Sequence, residues 1–168
     1  VGGYWATERL PDCDGAGLTL LIGEGVATVL SAKEASGHPA IAALSSGNLP
    51  TVAKAMRERY PAAALVILAD LVKATGEPDP HAINAAQSVG GLLAVPDFGT
   101  DREPDMTDFN DMAQLRGVEA VRQSLAGASA PAREVHQADE ANAPAGDSDG
   151  WPEPQPLSHA RSARAGSD

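Results

Sequence analysis

Basic residues are scarce in this chain: 12 Lys and Arg stand against 23 Asp and Glu, which gives the 168 residues a formal net charge of −11. Proteins that coat nucleic acid regardless of sequence rely on lysine and arginine to neutralise phosphates, so that class is excluded. Any contact with nucleic acid must then be local or bridged by a metal. Cysteine is nearly absent. The single Cys13, between Asp12 and Asp14, cannot form an internal disulfide and reads as an inert thiol in a reducing cytoplasm. No apolar run approaches the ~20 residues a membrane helix needs. The amino terminus carries no basic-then-apolar signal pattern, so the expectation is a cytoplasmic protein with no membrane partner. The chain begins at Val1, as a fragment or an unusual start codon would. Three signatures are also missing: G-x-x-x-x-G-K-[ST], G-x-G-x-x-G and G-x-S-x-G. Their absence argues against an ATPase, a dinucleotide enzyme and a serine hydrolase. There is no Cys-x-x-Cys pair, and His38, His81, His136 and His159 lack the spacing of zinc ligands.

What the chain does contain falls into two parts. The composition changes near Gly127, after which Ala, Pro, Ser, Gly and acidic residues dominate and few large apolar side chains remain to be buried. Residues 127–168 therefore read as a flexible linker or tail, ending in a proline-spaced stretch around Trp151 and an arginine-bearing terminus. Residues 1–126 read as one α/β domain, which the hydrophobic content of 43% is sufficient to support. Within it, apolar runs alternate with helical patterns. Leu18–Ile22 reads as a buried strand, and Val26–Ala35 as a helix with Val26, Val29, Leu30 and Lys33 on one face. "AIAALS" (40–45) is a second strand, "SGN" a turn, and "LPTVAKAMRERY" a helix with proline in its first turn and arginines near its end. "AALVILAD" is a third strand, ending at Asp70. A Gly/Pro loop, a helix over "HAINAAQSVGG", a fourth strand "LLAVPD" and helical pieces over "DFNDMAQL" and "VEAVRQSLAG" complete the domain.

Strands without period-two alternation, each followed by a helix, imply a small doubly wound parallel sheet of about four strands with helices on both faces. Ligands of such sheets bind beyond the carboxyl ends of the strands. Glu24, Asp70 and Asp97 all fall at those ends. Acidic groups placed together repel unless a hard cation lies between them, and Mg²⁺ is typically held by one or two carboxylates plus waters and phosphate oxygens. The competing reading makes Glu24 a helix-start acid and Asp70 a turn or cap residue. Gly23 and Gly25 leave room beside Glu24 for a substrate or another backbone.

The order of these pieces resembles the Toprim domain, particularly the version found in primases and primase-helicases of phages and plasmids. The resemblance runs from Gly2 to Leu125. It rests on "GEG" after the first strand, "AALSSGNL", a strand ending "LAD", the "AINAA" helix and "TDFND". It implies a DNA primase activity, in which Mg²⁺ (or Mn²⁺) supports nucleotidyl transfer from nucleoside triphosphates on a single-stranded DNA template, with further primase or helicase domains elsewhere in the intact protein. The family's glutamate matches Glu24, a metal ligand or general acid/base in relatives, and the first aspartate of its Asp-x-Asp motif matches Asp70. The second falls on Val72, which can neither ligate a cation nor accept a proton. The site is then completed by Asp79, Asp108 or Asp111, or the domain is a catalytically silent module kept for interaction. Asp79 either reaches back across the "KATGEP" loop or sits at the surface ahead of His81. Asp108 and Asp111 either ligate a second metal or cap the following helix. Ser46, Gly47 and Asn48, after Ser45, either receive a phosphate at the next helix start or form a plain turn. Lys73 either contacts a triphosphate or template backbone or is a solvated loop lysine.

Overall fold

The computed structural model describes residues 3–132, and the expected tail from residue 133 onward lies outside them. Five strands, β1 (Trp5–Ala6), β2 (Thr19–Gly23), β3 (Ala40–Ala42), β4 (Ala64–Leu68) and β5 (Leu92–Ala94), form one sheet in the order β1-β3-β2-β4-β5. β2, β3, β4 and β5 pair in parallel, and β1 joins β3 antiparallel, with Trp5 opposite Ala42. The expected α/β sheet is present, with one edge strand more than the sequence pattern suggested. Two residues are too few to show a period.

Five helices cover the sheet: α1 (Val26–Ser36), α2 (Leu49–Arg59), α3 (Pro80–Val89), α4 (Phe109–Arg116) and α5 (Val118–Ala126). Alternate residues of each strand point to opposite faces. Leu20, Ile22, Ile41, Leu65 and Ile67 pack with α2 and α3, whereas Leu21, Ala40, Ala42, Val66 and Leu68 pack with α1, α4 and α5. The chain leaves β2 through α1 to reach β3 on one side. It then crosses by α2 to β4 on the other side of β2 and continues through α3 to β5. Right-handed crossovers require helices on opposite faces when the direction of winding reverses, as seen here. The reversal opens a crevice between the carboxyl ends of β2 and β4, a topological switch point.

Helix α1 differs from its expected orientation. Its buried side is Thr28, Val29, Ala32 and Ala35, while Val26 and Leu30 are exposed and Lys33 pairs with Glu8. Small residues line this face because α1 is packed under the sheet and also against α4 and α5, which leaves little room for larger side chains. The base of the sheet is tied by Tyr60, whose fully buried ring sends its hydroxyl to the Pro11 carbonyl at 2.7 Å. Gly23 is constrained by packing: a Cβ there would lie 3.0 Å from Val29 Cγ1 and 3.3 Å from Leu68 Cδ1. Gly23→Ala is expected to destabilise the domain by about 1–3 kcal/mol, as overpacked cores do, measurable as a lower urea midpoint with unchanged slope.

Candidate functional site

The crevice is built by main-chain hydrogen bonds before any side chain enters it. Past β2, the Gly23 and Glu24 carbonyls accept from the Ala43 and Leu44 amides at 2.8 and 2.9 Å, which sets the turn after β3 beside Glu24. Leu44 takes a positive φ of 69° there, a conformation that strains a leucine, and leaves its side chain 59% exposed. Past β4, the Ala69 amide donates to Ala94 and the Leu71 amide to Thr107, at 2.9 and 2.8 Å. These bonds draw the residues before α4 alongside Asp70. The segment after Asp70 turns back on itself: Val72 N–H donates to Glu77, and Asp79 N–H donates to the Asp70 carbonyl, each at 2.8 Å. Leu71 and Pro78 form a bridge between the two arms of this hairpin.

Asp70 is the electrostatic centre of the arrangement. Its Oδ1 is buried and has no hydrogen-bond partner among the described residues. Burial, and then the charges of Asp108, Glu24, Asp79 and Asp111, push its carboxyl up to about 7. Of the two carboxylates expected beside Asp70 at the strand ends, Glu24 is among the charges that shift it and Asp97 is not. Its Oδ1 accepts from the Gly99 amide at 2.8 Å, and it lies beside Met112 and Arg116.

The five carboxylates differ in how far they are already engaged. Asp108 accepts from the Asp111 amide at 2.8 Å through one oxygen and from the Thr28 hydroxyl at 2.8 Å through the other. Asp111 accepts from the Thr107 amide at 2.8 Å and the Asp108 amide at 3.4 Å, which completes a capping box on α4. Asp79 caps α3: its Oδ1 accepts from the His81 amide at 2.7 Å, with the His81 ring nitrogen at 3.1 Å. Both cap readings therefore hold, and both caps also lie close enough to act on Asp70. Glu24 precedes the Gly25 N-cap of α1, so it stands outside the helix's first turn.

Among the described residues, no three His, Cys, Asp or Glu side chains form a ready-made metal cage. The donor set fits a cation held by one or two carboxylates, with waters and phosphate oxygens supplying the rest, because Asp70 offers an unpartnered buried oxygen in an acidic field. The weaker site residues fall at the margins. Ser46–Asn48 form a 3-10 turn ahead of α2, and the Asn48 amide group donates to the Ala43 and Gly3 carbonyls at 2.8 and 2.9 Å, a structural role. Lys73 is exposed and pairs with Asp105 at 2.9 Å. Thr28, which fixes Asp108 from α1, was not marked by any sequence motif; a polar residue on the buried side of a helix is the signal that identifies it.

Residues 19–119 match the family model of the Toprim domain. Two Escherichia coli proteins named DNA primase TraC are similar to the chain. One is 38% identical over 104 residues, covering 58% of this chain, and the other 34% identical over 139 residues, covering 76%. The chain spans only about 9% of the length of either relative. No solved structure gives a significant match.

The raised Asp70 pKa predicts a pH dependence in metal-free protein. A carboxyl whose folded pKa lies above its unfolded value stabilises the fold fully below about pH 4, and that contribution is lost as pH rises through about 7. Asp70→Asn is expected to leave stability near the wild-type value at pH 4 and to exceed it at pH 8, by at most about 4 kcal/mol. Chemical denaturation at the two pH values measures the difference, and equal midpoints at pH 8 would contradict the strained carboxylate.

Proposed function

The chain belongs to the Toprim domain family, and from that premise we propose that it is the Mg²⁺- or Mn²⁺-dependent nucleotidyl-transfer module of a DNA primase or primase-helicase. The observation that carries this reading is Asp70: a buried, unpartnered carboxylate oxygen at the sheet's switch point, facing the field of Glu24 and three capping aspartates. Glu24 and Asp70 are the residues proposed to hold the cation, since the described hydrogen bonds occupy oxygens of Asp79, Asp108 and Asp111. When bound, the divalent ion supplies neutralising charge to the triphosphate and to the oxygens of an in-line displacement.

The chain's own contribution is positional. With a cation held there, Asp70 would be ionised at neutral pH, and the main-chain bonds past the ends of β2 and β4 would keep Glu24 and Asp70 in place. The amides of Ser46 and Gly47, in the turn beside Glu24, are proposed to receive a phosphate, and Lys73 to reach it once released from Asp105. At a net charge of −11, the grip on single-stranded template falls to other parts of the intact primase, which the relatives' greater length can accommodate.

Val72 supports a second reading, a catalytically silent module retained for interaction within a replication protein, because the family's second aspartate is replaced by a side chain with no lone pairs. One titration separates the two. At pH 8, Mg²⁺ or Mn²⁺ at about ten times its dissociation constant is expected to raise the wild-type Tm by about 5 °C. The shift should shrink at pH 5, where protons compete for Asp70, and should be lost in Glu24→Gln. No shift in wild type favours the silent module.

A further inference from the structure

The two loops that bring acidic residues to Asp70 are joined by one guanidinium. Arg102 donates from Nη1 to the Met106 carbonyl at 2.9 Å and, at the limit of hydrogen-bond length, to the Pro104 carbonyl at 3.4 Å; from Nη2 it donates to the Lys73 carbonyl at 3.3 Å. Lys73 lies in the hairpin that follows Asp70, whereas Pro104 and Met106 lie in the loop that leads to Asp108. Gly76, at the turn of that hairpin, closes on the same group: a Cβ there would come 3.1 Å from Nη2, and its φ of 76° already favours glycine. Both loops continue directly into main-chain bonds of the site. From the outgoing arm of the hairpin the Leu71 amide reaches Thr107 in the other loop, and from its returning arm the Asp79 amide reaches back to Asp70.

We propose that Arg102 is a positioning residue for the carboxylate site. By holding the carbonyls of Lys73, Pro104 and Met106 together, it locks the hairpin after Asp70 to the loop before Asp108, so that the acidic side chains are kept close despite their mutual repulsion. A planar guanidinium suits this task, because its donors are fixed in a fork and can serve carbonyls from two directions at once. The inference rests on the cation-binding reading above. Asp79 on the hairpin and Asp108 and Asp111 beyond the second loop all repel Asp70, so the guanidinium acts together with the main-chain bonds against a force that would part the two loops.

The molecule contains its own control. Arg57 clamps carbonyls in the same manner, with bonds to Val89 at 3.0 Å, Pro61 at 3.2 Å and Ala63 at 2.8 Å, but at the amino end of β4, away from Asp70. Mn²⁺ binding followed by electron paramagnetic resonance at low temperature, in the full chain, compares wild type with Arg102→Ala, Arg102→Lys and Arg57→Ala. The expected result is an Mn²⁺ dissociation constant about tenfold weaker in Arg102→Ala. Arg102→Lys should recover part of this, and Arg57→Ala should bind as wild type although its Tm falls. Hydrogen exchange in metal-free protein gives a second readout: the Leu71 and Asp79 amides should exchange faster in Arg102→Ala and not in Arg57→Ala. If Arg102→Ala fails to fold, Arg102→Lys is read in the same way. Wild-type binding with unchanged affinity in the Arg102 variants overturns the inference alone, as do unchanged exchange rates. No Mn²⁺ binding by wild type overturns the cation reading and this inference with it.

Discussion

A half-buried carboxylate with one oxygen sealed and unpartnered, set in the field of other carboxylates, is driven to take a proton or meet a cation, and the position of Asp70 forces that choice on the molecule. Its main chain cannot withdraw. Hydrogen bonds from Ala69 to Ala94, Leu71 to Thr107 and Asp79 to Asp70 fix the backbone before, after and at the residue. The strand order does the rest, since β2 and β4 are adjacent while their following segments diverge, leaving a crevice into which Glu24 and Asp70 both emerge. Desolvation ranks first among the causes of the raised pKa, ahead of every neighbouring charge. The fold's burial of the strand end therefore matters more than any single acidic neighbour.

The remaining acids share the work unequally. Asp79 caps α3, and Asp108 and Asp111 form the reciprocal box on α4, so their negative charges are each supported by helix amides. Asp70, by contrast, has neither a helix end nor a donor at Oδ1 among the described residues, and its carboxyl is pushed up to about 7. The same division separates groups that create the field from groups with oxygens to spare for a cation. Thr28 extends it across the sheet's helical layer, because its hydroxyl on α1 holds Asp108 in the capping geometry.

Much of this was legible in the sequence. Apolar runs ending in Gly-Glu and Ala-Asp, separated by helical stretches, are sufficient to place parallel strands and to bring Glu24 and Asp70 to one sheet edge. The face of α1 was not legible. Of Val26, Val29, Leu30 and Lys33 only Val29 is buried, beside Thr28, Ala32 and Ala35, whose small size serves close packing against α4 and α5 and has little hydrophobic signal. Strand β1 escaped because its pairing depends on β3, not on its own two residues. The loop contacts of Arg102 were hidden for a similar reason: arginine bonds to carbonyls across separate loops leave no trace in local spacing. Asp97 illustrates the opposite error, a carboxylate at a strand end whose side chain is used by its own turn.

Val72 changes meaning in this setting. The resemblance to the family sets it where a second aspartate is expected, yet its backbone shapes the hairpin: its N–H bonds Glu77, and its carbonyl accepts from Thr75 at 3.3 Å and Gly76 at 2.8 Å. The turn it closes returns the chain so that Asp79 lies across from Asp70, and Asp79 acts on Asp70 more strongly than Asp111 does. Negative charge absent at position 72 thus re-enters the site from the returning arm. Equivalence ends there, because Asp79 Oδ1 is occupied by the His81 amide and lies against its ring. Asp79 adds negative charge beside Asp70, but with Oδ1 engaged it offers fewer free oxygens to a cation. The difference between this site and the two-aspartate pattern is therefore one of ligand supply, while the electrostatic demand at Asp70 stays in place.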